Sequence, residues 1–137
     1  MVSAGKRRND EWRKLSTHFS GNSVPRERSA LAGPVVFIND QRLLFCAAYR
    51  SMDGLILKKF YNLFLRTFLI PWEAITHIHV KSLPNTYREH RRDEGIAEIG
   101  LAGMPDTLLG VPWIREWKTD LPEHIELKEF WHEVWWQ

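Results

Sequence analysis

The feature that most constrains the fold is an Asp-Gly pair followed by two apolar runs. Asp53-Gly54 precedes the runs at 55–60 and 63–70, and Pro71-Trp72 comes directly after them. Glycine tolerates the positive φ that tight hairpins need, and the runs are rich in residues that favour strands. Pro71 lacks an amide hydrogen, so it ends a strand or lies at an edge. The sequence therefore predicts a meander of antiparallel strands, with Trp72 as a structural anchor at a corner.

Length and composition are those of one ordinary globular domain. The chain has 137 residues, of which 44% are apolar and 26% are charged, enough to bury a core and too apolar for wholesale disorder. We expect a flexible basic tail over residues 1–8 and a single domain over residues 9–137. Cys46 is the one cysteine and lies in an apolar run. An internal disulfide is thereby excluded, and a buried, inert thiol is expected.

The sequence indicates a cytoplasmic protein, with contact to the inner membrane surface as an alternative. The first residues lack the apolar core of a signal peptide. The longest apolar region, 55–70, is interrupted by three basic residues and is shorter than the ~20 residues that span a bilayer. Residues 1–28 carry seven basic and three acidic side chains, whereas residues 109–137 carry three basic and six acidic side chains. We favour mutual attraction or solvation of these ends over nucleic-acid binding.

An amphipathic helix is predicted near the start, capped by Asn9 or Asp10, with Trp12, Leu15 and Phe19 on one face. Strands are predicted next, at 35–38, 43–49, 55–60, 63–70, 75–83, 96–101 and 108–114.

The end of the chain is predicted to be a helix that covers the sheet. Asp120 with Glu123 resembles a capping box. Apolar residues then recur at i, i+3, i+4 and i+7, namely Leu127, Phe130, Trp131 and Val134. Trp136 points away from that stripe, which indicates either a frayed end or a contact with a partner or with a second copy of the chain in a homodimer. The expected fold class is α+β: a strongly bent antiparallel sheet or partly open β-barrel between an N-terminal helix and a C-terminal capping helix.

The only metal-like spacing is His77-Ile78-His79. His-x-His on a strand projects two imidazoles to one face, and Ile78 with Val80 is the better core candidate. A third ligand would come from His90, His124, His132 or a carboxylate. Two surface histidines are the commoner outcome, so no metal or other cofactor is expected. Recognised catalytic motifs are missing, which favours a non-enzymatic protein.

Basic and aromatic residues interleave at 58–61 and 87–92. This pattern fits an anionic head group or a phosphate. It also fits a hairpin edge whose lysines oppose strand pairing, which we favour.

Two motifs carry a family resemblance. The chain has Asp53-Gly54-Leu55-x-Leu57 and then Leu69-Ile70-Pro71-Trp72-Glu73-Ala74-Ile75. It resembles small bacterial proteins with a "DGLYL … LFIPW-x-x-I" signature, which are similar to pleckstrin-homology-like and GRAM-like domains. The resemblance implies a strand meander capped by a terminal helix. Where the signature has an aromatic residue, this chain has Ile56.

The function expected from the sequence is non-catalytic recognition of a protein or peptide, with a weak contact to an anionic membrane surface as a further partner. The expected contact residues are Lys58, Lys59, Tyr61, Tyr87, Arg88 and Trp136. One alternative is an immunity-type inhibitor that binds one cognate protein through the acidic C-terminal helix. Another is a small metal-dependent enzyme that uses His77 and His79.

Overall fold

The computed structural model describes residues 4–24, 30–33, 36–39, 41–43, 46–60, 66–82, 95–113, 117–118 and 121–134. In chain order, these ranges hold α1 (Ala4–His18), β1 (Ala30–Gly33), β2 (Val36–Ile38), β3 (Gln41–Leu43), β4 (Cys46–Arg50), β5 (Gly54–Lys59), β6 (Phe68–Pro71), a 3-10 turn (Trp72–Ala74), β7 (Ile75–Ser82), β8 (Gly95–Leu101), β9 (Leu109–Trp113) and β10 (Glu126–Val134).

Helix α1 packs its predicted apolar face into the core. Trp12 and Leu15 are fully buried and Phe19, just after the helix, is 4% exposed, so this part of the sequence analysis is confirmed. The helix begins at Ala4, five residues before the expected cap at Asn9. Alanine, lysine and arginine are good helix formers, which explains why the helix extends into residues 4–8. The flexibility expected of residues 1–8 stays a prediction.

The first sheet has four strands in the order β1-β4-β5-β6, all antiparallel. Its centre is the predicted hairpin of β4 and β5, which pairs Ala48 with Leu57. Gly54 follows the turn with φ 154°, and a Cβ at this position would overlap the carbonyl of Ile70 on β6. Only glycine allows β5 and β6 to approach so closely.

The second sheet has six strands in the order β10-β7-β8-β9-β2-β3. All of its pairs are antiparallel except β10 with β7, which run parallel. Residues 43–49, predicted as one continuous strand, are divided between β3 in this sheet and β4 in the other. The chain passes from one sheet to the other here, so a continuous apolar run does not mean a continuous strand.

One hydrophobic core joins the helix to both sheets. It includes Trp12 from α1, Leu55 and Leu57 from β5, and Ile78 from β7. Cys46 belongs to it and is 2% exposed, as expected of a structural thiol. In the described ranges, no helix combines the length and the apolar character needed to cross a bilayer.

The predicted C-terminal capping helix is wrong. Glu126–Val134 forms strand β10, which pairs Leu127 with Ile78 of β7. The helical spacing of Leu127, Phe130 and Trp131 was real, but Ile125 and Leu127 also fit a period of two, and pairing with the β7 edge decides between the two patterns. The acidic helix expected to carry an immunity-type interaction is therefore a strand.

The α+β class is corrected with it. The described residues are mostly strand in two sheets, with one N-terminal helix and no closed barrel.

Trp72 lies at the start of the 3-10 turn that links β6 to β7 and is 7% exposed. Its indole Nε1 donates a hydrogen bond to the carbonyl of Met52, at 2.9 Å. The side chain therefore ties the turn between β6 and β7 to the turn between β4 and β5.

Candidate metal centre

Strand β7 turns two histidines to the outer face of the six-stranded sheet. Ile75, Ile78 and Val80 are fully buried, whereas His77 and His79 are half-buried. Side chains of a strand alternate between faces, so burial of Ile78 and Val80 leaves the two imidazoles on the opposite side. Their ring centroids are 4.3 Å apart, with 31° between the ring planes.

Strand β8 places a carboxylate beside this pair. The antiparallel register sets Glu98 opposite His79 and Gly100 opposite His77. Residues directly opposite each other on neighbouring strands have side chains on the same face. Glu98 therefore projects toward the imidazoles, while its neighbours Ala97 and Ile99 are fully buried in the core.

The three side chains converge. One potential ligand atom each from His77, His79 and Glu98 lie within 4.8 Å of one another. All three residues are half-buried, so the cluster is fixed by the sheet on one side and accessible from solvent on the other. Two imidazole nitrogens and a carboxylate oxygen form a donor set that suits divalent transition metals.

His77 is held in place by two neighbours. A Cβ at Gly100 would overlap its imidazole ring, so the ring occupies space that any other residue at position 100 would fill. The Nδ1 atom of His77 is hydrogen-bonded to Oγ1 of Thr76, at 3.2 Å. A partner on one ring nitrogen helps to orient the other toward a metal.

Glu98 is also paired with a lysine. Lys81 Nζ lies 2.7 Å from Glu98 Oε2, and the two side chains are 24% and 15% exposed. A partly buried carboxylate needs a positive partner, and Lys81 provides it. A carboxylate has two oxygens, so Glu98 can keep Lys81 on one oxygen and bind a metal through the other.

Strand β10 flanks the cluster on its other side. Its register places Glu126 beside His77 and Lys128 beside His79. The ring of Phe130 meets that of His79 edge to face, with centroids 5.2 Å apart. Glu126 is bound to Lys128, with Nζ 2.8 Å from Oε1. The histidine pair thus has an aromatic wall and a second carboxylate within one strand spacing.

The protein lowers the pKa of His79 below 6.5. Burial is the main cause because it disfavours the charged imidazolium, and the neighbouring His77 adds repulsion. Glu98 and Glu126 act in the opposite direction more weakly. A neutral imidazole has the lone pair that a metal requires, so His79 is ready to act as a ligand near neutral pH.

The pKa of Glu126 is lowered as well. The hydrogen bond from Lys128 is the largest cause, followed by the charge of that lysine, and His79 and His77 contribute less. The carboxylate therefore stays ionised next to the histidine pair.

Only part of this cluster was expected from the sequence. The sequence predicted that His77 and His79 project from the same, solvent-facing side of their strand, and the structure places them there. The third candidate ligand is a carboxylate, Glu98. The histidines named as alternatives are elsewhere or undescribed. His90 lies outside the described residues, and Nε2 of His124 is 2.9 Å from the carbonyl oxygen of Trp72. His132 is exposed on β10.

The sequence does hold a signal for Glu98. Among residues 95–101 it is the one charged side chain. If Ala97, Ile99 and Leu101 face the core, alternation places Glu98 on the outer face. The register with β7, which brings it opposite His79, is not readable from either strand alone.

Of the residues expected to contact a partner, the two that the structure describes are not brought to this cluster. Lys58 and Lys59 lie on β5 in the other sheet. Lys58 is exposed, and its Nζ lies 5.2 Å from the ring centroid of Phe60. Tyr61, Tyr87, Arg88 and Trp136 lie outside the described residues.

Comparisons of the chain with protein-family models, with curated proteins and with solved structures find no match. The resemblance to pleckstrin-homology-like proteins stays a prediction.

Proposed function

We propose that this protein binds a divalent transition metal ion, Zn²⁺, through His77, His79 and Glu98. The observation that carries the proposal is the convergence of three ligand atoms within 4.8 Å on one face of two adjacent strands. Two histidines and one glutamate are also the protein ligands of a common type of zinc site.

The distances allow a metal with small side-chain movements. Zn–N and Zn–O bonds of about 2.0–2.2 Å place tetrahedral ligands about 3.3–3.6 Å apart. The three ligand atoms must therefore approach one another by about 1.5 Å at most from their separations of up to 4.8 Å. Rotation of half-exposed side chains supplies this movement, so the backbone register need not change.

The direct test is zinc titration of the metal-free protein by isothermal calorimetry, with metal analysis of the protein as purified. We expect one zinc per chain. His77→Ala and His79→Ala should each weaken binding by more than about 100-fold, since loss of an outer-shell partner alone costs about 10–100-fold. Glu98→Gln should also weaken it, because a neutral amide is a poorer ligand than a carboxylate.

His18→Ala is the matched control. His18 is exposed at the end of α1, and its loss removes one imidazole that is not part of the candidate metal centre. Zinc affinity should stay at the wild-type value. Equal zinc binding by wild type, His77→Ala and His79→Ala would contradict the proposal.

The enzymatic alternative starts from the same cluster. A four-coordinate zinc with three protein ligands keeps one position for water, which is the arrangement of catalytic sites. Zinc-dependent hydrolysis of an activated ester such as p-nitrophenyl acetate, lost in His79→Ala, would support it. Zinc binding without turnover would leave metal binding as the function.

A second candidate is recognition of a protein or peptide through strand β10. The supporting observation is its position at the edge of the six-stranded sheet. Trp131 on this strand is 42% exposed. A peptide can extend a sheet by pairing with an edge strand, and an exposed aromatic beside it adds affinity.

A pull-down from cytosolic and membrane fractions tests this second candidate. A specific protein should be captured by wild type and lost with Trp131→Ala. Met52→Ala is the control, because Met52 is 92% exposed and lies in the β4–β5 turn. Capture unaffected by Trp131→Ala, or lost equally with Met52→Ala, would exclude β10. A Lys58→Ala/Lys59→Ala variant in the same pull-down tests the partner-binding surface that the sequence predicts.

A further inference from the structure

A polar cavity lies between helix α1 and the residues just before β6, and none of its described lining residues belongs to the candidate metal centre. It has a volume of about 310 Å³. Among the residues that the structure describes, two arginines and three hydroxyl side chains line it, namely Arg13, Ser16, Thr17, Ser20 and Arg66. A cavity of this size is at the small end of the range for ligand sites, so it suits a small ligand or a single chemical group.

The core of the protein brings the two arginines together. They are 53 positions apart in sequence, and the buried Trp12 links their segments. Trp12 is fully buried, and its Nε1 donates a hydrogen bond to the carbonyl of Arg66, at 3.0 Å. Arg13 follows Trp12 directly in the chain. The hydrogen bond of Trp12 therefore holds the backbone of Arg66 close to Arg13, and both arginines line the cavity. Trp12 also packs edge to face on Phe68 of β6, with centroids 5.2 Å apart.

The charged side chains among the described lining residues are both positive, Arg13 and Arg66. Arg13 forms an ion pair with Asp10, with NH1 3.3 Å from Oδ1, and both side chains are about half exposed. Such an exposed pair is weak and exchanges easily with a stronger anion. Arg66 is exposed, and its guanidinium forms no ion pair with any residue that the structure describes.

The hydroxyl groups complete a polar wall along one face of α1 and the turn that follows it. Ser16 Oγ donates to the carbonyl of Arg13 at 3.2 Å, and Ser20 Oγ donates to the carbonyl of Thr17 at 2.9 Å. These bonds are local, and rotation of a hydroxyl replaces them with a bond to a ligand oxygen. Thr17 is exposed beside them.

We propose that this cavity binds a phosphate group, either as inorganic phosphate or as the phosphate of a small monoester. Two guanidinium groups can each donate paired hydrogen bonds to phosphate oxygens, and the three hydroxyls offer further donors. The site does not depend on the metal site, because none of its lining residues belongs to the six-stranded sheet.

The test is a titration of the protein with inorganic phosphate at low ionic strength, in which ¹H–¹⁵N NMR spectra monitor the backbone amides. EDTA is present, so that no metal at His77 and His79 bridges to phosphate. The amides of Ser16, Thr17 and Ser20 should shift with one saturable binding curve. Arg66→Ala and Arg13→Ala should each weaken binding by about tenfold or more, as expected for hydrogen bonds between charged groups.

Lys14→Ala is the matched control. Lys14 lies on the same helix next to Arg13, is 66% exposed and pairs with Glu11 at 3.2 Å. Its loss removes the same charge without changing the cavity lining. Phosphate affinity should therefore stay within about twofold of wild type, since an exposed charge is largely screened.

The outcomes distinguish specific phosphate binding in the cavity from unspecific attraction to a positively charged surface. Equal weakening by Arg66→Ala and Lys14→Ala, or shifts that do not saturate, would overturn the proposal. A vesicle arm uses phosphatidylcholine with phosphatidylglycerol. Binding to these vesicles that is lost in Arg13→Ala and Arg66→Ala, together with no saturable binding of free phosphate, would assign the arginines to a membrane surface and would also overturn it. Arg66→Lys, which keeps the charge but loses the paired donors, should bind less tightly than wild type.

Discussion

The imidazole of His77 lies over Gly100, in the space that a side chain at that position would occupy. The two residues are paired across β7 and β8, and the pair of His79 and Glu98 lies two residues further along each strand. The absence of a side chain on one strand thus determines where a candidate ligand on the next strand can lie.

Replacing Gly100 with alanine should weaken zinc binding without unfolding the protein. The new Cβ would displace the ring of His77 from its place beside His79, and misplacing a ligand through its support costs about tenfold or more in affinity. The imidazole is half-exposed and can rotate away, so the fold should persist. Zinc calorimetry and circular dichroism measure the two effects.

Gly21→Ala is the control for this substitution. A Cβ at Gly21 meets no atom within 4 Å, so its zinc affinity should equal that of wild type. If Gly100→Ala also bound zinc normally, His77 would not be a ligand in the orientation seen here.

Stability should fall on acidification in a way that depends on His79. Its pKa is lowered in the folded protein, mainly by burial and then by His77. Between that lowered pKa and 6.5 the unfolded chain binds more protons, so stability is present above pH 6.5 and is lost as pH falls through the folded pKa. Urea unfolding with EDTA at about pH 7.5 and about pH 5 measures the loss.

His79→Gln should reduce this loss, because glutamine cannot be protonated in that range. The measured quantity is the difference in free energy of unfolding between the two pH values, compared between variant and wild type. The carboxylates are present in both proteins, so the comparison reports the contribution of residue 79 together with its effect on the neighbouring Glu126. An identical difference in wild type and His79→Gln would show that the environment of His79 does not disfavour its protonation.

Gly54→Ala should destabilise the protein by about 3 kcal/mol. Gly54 has φ 154°, and a Cβ would overlap the backbone carbonyl of Ile70. Ile70 lies on β6, which is paired with β5, and backbone atoms of a paired strand cannot move aside as a side chain can. Met52→Ala, in the same turn, is the control; Met52 is 92% exposed, so its loss should change stability by less than about 0.5 kcal/mol.

The first hairpin was readable from sequence because its signals are local. Asp53-Gly54 specifies the turn, and the apolar residues after it pair across that turn, as Ala48 with Leu57 shows. The division of 43–49 between two sheets could not be predicted in this way. Which sheet accepts Leu43 and which accepts Cys46 depends on strands far along the chain, such as β9, which pairs with β2.

The candidate metal centre shows the same limit. His77 and His79 share a face because they are two residues apart on one strand, which the sequence states directly. Glu98 joins them through the register of β7 with β8, which pairs Ile78 with Ile99. Register is set by packing of both inner faces on the core, so the third ligand required the fold.

Native-state hydrogen exchange can distinguish strand β10 from the helix that the sequence predicted for the C-terminal end. In an edge strand only every second amide faces its neighbour, so residues 126–130 should alternate between slow and fast exchange. The C-terminal helix expected from the spacing of Leu127, Phe130 and Trp131 would protect consecutive amides instead. Residues 77–81 of β7 are the internal control: β7 is paired on both sides, with β10 and β8, so consecutive amides there should all be slow. Protection of consecutive amides through residues 126–130 would restore the helix and remove the wall that Phe130 forms beside His79.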